Sequence, residues 1–152
     1  MDQLICDLKV NIFLKIYLVL FALINLVYTY FEVSKYLYIQ KYSLEGTIEK
    51  YQFEYLSNIS RITTLLESLI ILIYLGYLIK VVLEKDRRNM MHFLVINVAL
   101  IVIFTLINWL VSVVFSVPIQ TLIMLLYISF LITIISLICF GLSVFHRKKG
   151  LV

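Results

Sequence analysis

Four long apolar runs, separated by polar stretches, dominate the chain. They cover residues of about 11–31, 64–83, 92–115 and 119–145. Each exceeds the roughly 18 to 20 residues that cross a hydrocarbon core of about 30 Å. Backbone groups in lipid need partners within their own segment, so runs of this length and composition predict helices. A transmembrane barrel would alternate over about ten residues, whereas these runs are apolar all round. The pattern therefore predicts an all-α polytopic membrane protein with four transmembrane helices. The length suits a single membrane domain over residues 1–152.

The first connection, residues of about 32–63, is not uniformly polar. Leu44, Ile48, Tyr51, Tyr55, Ile59 and Ile62 recur at steps of three and four, which puts them on one helix face. Leu66, Leu69 and Ile73 continue the stripe into the second span, and Ser43 suits an N-cap. One continuous helix over 44–83 fits this spacing, with half of it outside the membrane. It would pair with an extension of the first helix that carries Val33, Tyr36, Leu37 and Tyr38. The expected result is an extracytoplasmic helical hairpin turning near Tyr42 and Ser43. A competing signal is Thr64-Leu65-Leu66-Glu67, a capping-box sequence that would start the second helix at Leu65.

Composition agrees with lipid as the solvent. Hydrophobic residues make up 63% and charged residues 14%, too few charges to cover a water-soluble surface. Four Gly and one Pro leave little material for turns, which favours long helices. Abundant Ile, Leu, Lys, Asn and Tyr with scarce Ala point to an AT-rich, low-GC bacterial genome. No small-residue cleavage site follows the first run, where Tyr28, Tyr30 and Phe31 stand, so it is expected to be retained as a span.

Charge sets the expected orientation. Lys9 and Lys15 mark the N-terminal end of the first span. Lys80, Lys85, Arg87 and Arg88 crowd the second connection, and Arg147, Lys148 and Lys149 follow the fourth span. The first connection spreads Lys35, Lys41, Lys50 and Arg61 over about 30 residues, and the third, residues 116–120, has no basic residue. Both termini and the second connection are thus expected in the cytoplasm of a multi-pass cell-membrane protein. Lys15, one turn inside, can snorkel to the headgroups. The net charge of +4 reads as topology and contact with lipid; no aromatic-interleaved basic stripe suggests nucleic acid.

Tyrosine gathers around the first connection. An aromatic belt accounts for Tyr28, Tyr30 and Phe31. For Tyr36, Tyr38, Tyr51 and Tyr55 two readings compete: packing at the membrane interface, and a surface that binds a protein partner. Within the spans, Asn97, Thr105, Asn108 and Ser112 share one side of the third helix. Ser129, Thr133, Ser136 and Ser143 follow helical spacing on the fourth. Asn97, Asn108, Ser129, Thr133 and Ser136 are therefore candidates for an intramembrane polar seam, as hydrogen bonds between helices or as a conduit. Glu67 is expected in a capping or interfacial role near the outer end of the second span. Trp109, well inside the third, is expected to pack.

Chemistry-bearing motifs are absent from the sequence. No H-E-x-x-H, G-x-S-x-G or phosphate-binding G-x-x-x-x-G-K-[ST] pattern occurs. Cys6 and Cys139 have no metal, haem or redox spacing, and His92 and His146 sit at span ends. No cofactor, metal site or enzyme activity is expected. The layout resembles that of small four-span proteins of low-GC bacteria, including toxin- and bacteriocin-immunity proteins and accessory subunits of larger complexes. The resemblance is one of architecture; no residue motif carries it, and no functional residue transfers. Two functions remain in competition: a non-enzymatic interaction protein, and a small transporter or channel subunit. Homo-oligomerisation fits either.

Overall fold

The computed structural model describes residues 12–42, 49–83 and 87–149. They form four helices: α1 (Ile12–Tyr42), α2 (Lys50–Leu83), α3 (Arg87–Phe115) and α4 (Ile119–Lys149). No strand occurs among the described residues. The helices have 31, 34, 29 and 31 residues. At 1.5 Å per residue they are about 43 to 51 Å long. All four are long and apolar enough to cross a membrane. Contacts divide the chain into two compact units, Met1–Asp86 and Arg87–Val152, each built on a helical hairpin.

In the first unit α1 and α2 run antiparallel. The buried apolar residues of α1 are Leu14, Tyr17, Phe21, Ile24 and Tyr28; the buried residues of α2 include Ile59, Thr63, Ile70, Tyr74 and Tyr77. Steps of three, four and seven are the spacing of helices packed side by side. Tyr17 meets Tyr74 edge-on at 6.4 Å and Tyr77 at 5.6 Å near one end. Tyr38 stacks on Tyr55 at 4.3 Å near the other. About 20 residues separate these contacts along α1, so the two helices touch over about 30 Å.

Two expectations for α2 change. The helix runs through Thr64–Glu67 without a break, so this capping-box sequence starts nothing. The Thr64 hydroxyl donates to the Ser60 carbonyl of the preceding turn at 2.9 Å. The described start of α2 is capped by Glu49 and Gln52. The Glu49 carbonyl accepts the Gln52 and Phe53 N–H groups, both at 3.0 Å, and Gln52 Oε1 accepts the Glu49 N–H at 3.1 Å. That is half of a reciprocal capping box. The expected cap Ser43, the first part of the stripe (Leu44 and Ile48) and the expected turn beyond Tyr42 lie outside the described residues. The buried face keeps Ile59 of the expected stripe but not its neighbours. Gln52, Thr63 and Ile70 are buried, whereas Tyr51, Tyr55, Ile62 and Leu69 are exposed.

In the second unit a tight turn joins α3 to α4. Ser116 takes a left-handed conformation (φ 54°) at the end of α3. The Val117 N–H then donates to the Ser112 carbonyl at 3.1 Å, and the Ser112 hydroxyl to the Val117 carbonyl at 2.7 Å. Val117 is buried. Pro118 precedes α4, and its carbonyl accepts the Thr121 N–H at 3.2 Å and hydroxyl at 2.8 Å. A side chain at positive φ is strained. Ser116→Gly relieves about 1–2 kcal/mol of strain against an entropic cost of about 0.5–1 kcal/mol, so a net gain of about 1 kcal/mol or less is expected, read as a higher melting temperature in detergent.

Both units bury polar side chains among their apolar core and expose apolar ones. Asn25, Glu32, Asn97, Asn108, Ser129 and Thr133 are buried, while Leu23, Leu72, Val98 and Val114 are exposed. In water this distribution would leave extensive apolar surface uncovered. In lipid it costs nothing, because hydrocarbon solvates Leu and Val and the seam satisfies the polar groups. Trp109 departs from expectation: it is 54% exposed on α3 instead of packed.

Candidate functional site: two polar seams and a tyrosine-rich end

The seam of the second hairpin is a ladder of amides and hydroxyls. Asn97 and Asn108 stand three helical turns apart on α3, which returns them to one face. The Asn97 side-chain amide donates to the Thr133 hydroxyl at 2.8 Å. Thr133 in turn donates to the Ser129 carbonyl at 2.7 Å, so its single proton is committed and the hydroxyl faces Asn97 as an acceptor. Near the turn, the Asn108 amide donates to the Leu122 carbonyl at 3.0 Å. Ser129 and Ser136 bond back to the Leu125 and Ile132 carbonyls of their own helix, at 3.2 and 2.8 Å. All five candidate seam residues, Asn97, Asn108, Ser129, Thr133 and Ser136, are buried. Among the described residues no buried side-chain nitrogen or oxygen lacks a hydrogen-bond partner.

The first hairpin has a polar seam of its own, of which the sequence suggested only Asn25. Tyr28 is buried and its hydroxyl donates to Glu67 Oε1 at 3.2 Å, tying α1 to α2. Tyr28 is thus not a member of an outward-facing belt. Glu67 serves as an interhelical acceptor deep within a continuous helix, not as a cap. One turn beyond Tyr28, Glu32 is buried and pairs with Lys35 at 2.6 Å. Asn25 donates to the Phe21 carbonyl at 2.8 Å, and Thr63 to the Ser60 carbonyl at 3.0 Å. The available signal was helical spacing: Asn25, Tyr28, Thr29 and Glu32 fall on one face of α1 at steps of three, one and three.

The far end of this hairpin collects tyrosines. Tyr38 stacks on Tyr55 at 4.3 Å and on Tyr42 at 4.7 Å. The Lys41 ammonium lies 5.5 Å from the Tyr42 ring centre, within cation–π range. The Tyr36 hydroxyl accepts from Gln40 at 3.2 Å, and the Tyr51 hydroxyl from Gln52 at 3.4 Å. The structure therefore brings Tyr38 and Tyr55 into contact, with Tyr42 completing a three-ring cluster. Tyr36 and Tyr51 are held by glutamines of their own helices. Tyr42, Tyr51, Phe53 and Tyr55 are all exposed, Phe53 by 63%.

No group of three or more His, Cys, Asp or Glu side chains able to hold a metal ion occurs among the described residues. The class defined by these features is an all-α chain carrying four helices long and apolar enough for a multi-pass membrane protein. No protein family, curated protein or solved structure matches this chain.

Proposed function

We propose that this chain is a non-enzymatic, multi-pass protein of a bacterial cell membrane that acts by binding another protein, as an immunity-type protein or as an accessory subunit of a membrane complex. Lys and Arg near the helix ends support cytoplasmic termini and a cytoplasmic α2–α3 connection. That orientation carries the α1–α2 end, with Tyr38 and Tyr55, to the outer face as a short helical arm. The observation behind the proposal is the exposed aromatic group Tyr42, Tyr51, Phe53 and Tyr55 on paired helices. Rigid aromatic side chains give contact area at low entropic cost, and they are enriched where proteins bind one another.

A polar conduit in a transporter or channel subunit draws less support. The polar atoms of the second seam are committed to partners inside the hairpin, and an ion path needs groups free to coordinate its cargo.

The test is capture of the tagged chain from native membranes, with co-purified proteins identified by mass spectrometry. Tyr51→Ser with Tyr55→Ser is expected to lower recovery of the partner at least about tenfold, as for loss of two aromatic hot-spot residues. Expression and membrane insertion should stay at the level of the unaltered chain. Partner recovery at full strength from the double variant would overturn the proposal. Ion flux in reconstituted liposomes that disappears with Asn97→Leu would turn it towards the conduit.

A further inference from the structure

We infer that the tyrosine-rich end is divided by depth: Tyr36, Tyr38 and Tyr55 seat in the outer-leaflet phospholipid headgroups, and Tyr42, Tyr51 and Phe53 stand above them in water. The inference rests on the membrane orientation proposed above. It replaces the belt expected at Tyr28, Tyr30 and Phe31 with one farther along the hairpin.

The antiparallel register supplies the ruler. Tyr17 lies against Tyr74 and Tyr77, and Tyr28 bonds Glu67, so Lys15 on α1 falls near the level of Lys80 on α2. These two lysines mark the cytoplasmic edge of the hydrocarbon. On α1 the next basic residue is Lys35, about 20 residues or 30 Å onward. On α2 the next is Arg61, about 19 residues or 28 Å away. Both helices therefore reach a cation at the same height, separated from the first pair by the thickness of a hydrocarbon core, about 30 Å. Tyr28 and Glu67 then lie about 10 Å beneath the outer boundary. That depth explains why the hydroxyl and carboxyl are turned towards each other, since lipid offers no partner for either.

Headgroups add roughly 5 to 7 Å on each side of the hydrocarbon. Tyr36 and Tyr38 stand about 2 to 5 Å past Lys35. Tyr55 is about 9 Å past Arg61, and its ring contact with Tyr38 places it at the upper edge of the same layer. These rings meet the layer where an apolar body and a hydroxyl tip are both solvated. Tyr42, Phe53 and Tyr51 stand about 10 to 15 Å past the cations. There no lipid covers them, and their exposure is exposure to water. A protein partner would thus meet the tip of the hairpin and approach along the membrane surface.

Depth-dependent fluorescence quenching tests this with the full chain in phosphatidylcholine–phosphatidylglycerol vesicles. Trp109→Phe clears the background, since Trp109 is the one tryptophan. A single reporter is then introduced as Tyr38→Trp, as Tyr36→Trp or as Tyr51→Trp. Lipids spin-labelled at the headgroup should quench the reporters at 38 and 36 several-fold more than the one at 51. Aqueous iodide should quench in the opposite order. Three results would overturn the inference. Strong iodide quenching at all three positions would mean an arm standing free in water. Lipid quenching at all three would mean an arm lying flat in the interface. Quenching at 38 that is strongest from labels deep in the acyl chains would place the lipid boundary elsewhere. The readout needs no partner, so a failed depth pattern and a failed partner capture are separate results.

Discussion

Asn97→Asp is expected to unfold the second hairpin. The substitution is nearly isosteric, yet it inverts the hydrogen bond. Asn97 gives a proton to Thr133, whose own proton is already given to the Ser129 carbonyl. An ionised Asp has no proton to give, so two acceptors would face each other across the seam. The new charge would also be fully buried in a span, at a cost of about 2.5–3.5 kcal/mol. Asn97→Leu removes both the donor and its need for a partner and should cost about 1 kcal/mol. Titration with a denaturing detergent, followed by the fluorescence of Trp109 on α3, distinguishes these outcomes. Equal loss from Asp and Leu would show that volume, and not proton direction, governs the site.

Phe21→Ala should have a comparable effect on the first hairpin, about 3 kcal/mol by analogy with buried aromatic truncations. Phe21 is completely buried, and its ring lies 5.8 Å from that of Tyr17, which in turn meets Tyr74 and Tyr77. Alanine would leave a cavity beside Tyr17, the ring through which Tyr74 and Tyr77 of α2 meet α1. Neither lipid nor water can fill such a space between packed helices. Thermal unfolding in detergent, monitored by near-ultraviolet circular dichroism of the tyrosines, should show an early transition. Phe21→Leu should recover most of the loss, because it restores most of the volume.

The helices were legible in the sequence because membrane solvation is a strict constraint. Runs of 20 or more apolar residues have few folds open to them. The continuity of α2 past residue 64 could be read from its unbroken helical periodicity, and the isolated capping box could not overrule it. The buried face of α2 was only partly legible from hydrophobicity: Ile59 of the expected stripe is buried. In water apolar residues mark the inside, whereas here Gln52 and Thr63 are buried and Tyr51 and Ile62 exposed. Tyr28 escaped for the same reason, because taken alone it looked like an interfacial residue, and Glu32 fell in the connection beyond the first apolar run. Their burial becomes apparent once α1 and α2 are set in register. The Asn, Ser and Thr spacing on α3 and α4 indicated helix faces, but not which groups would bond. The short turn at Ser116–Pro118 sets the register that brings Asn97 to Thr133 and Asn108 to Leu122.

The hydroxyl groups that bond back to their own helix bear on how the chain enters the bilayer during synthesis. Thr64, Ser68, Ser129 and Ser136 each donate to a carbonyl one turn earlier. Such a residue carries no unmet demand when its helix leaves the translocation machinery alone. Asn97 and Asn108 add bonds whose acceptors are on α4 and emerge from the ribosome later. Those bonds form only once α4 lies beside α3, so the pairing of the two spans is a step separate from the entry of each into lipid.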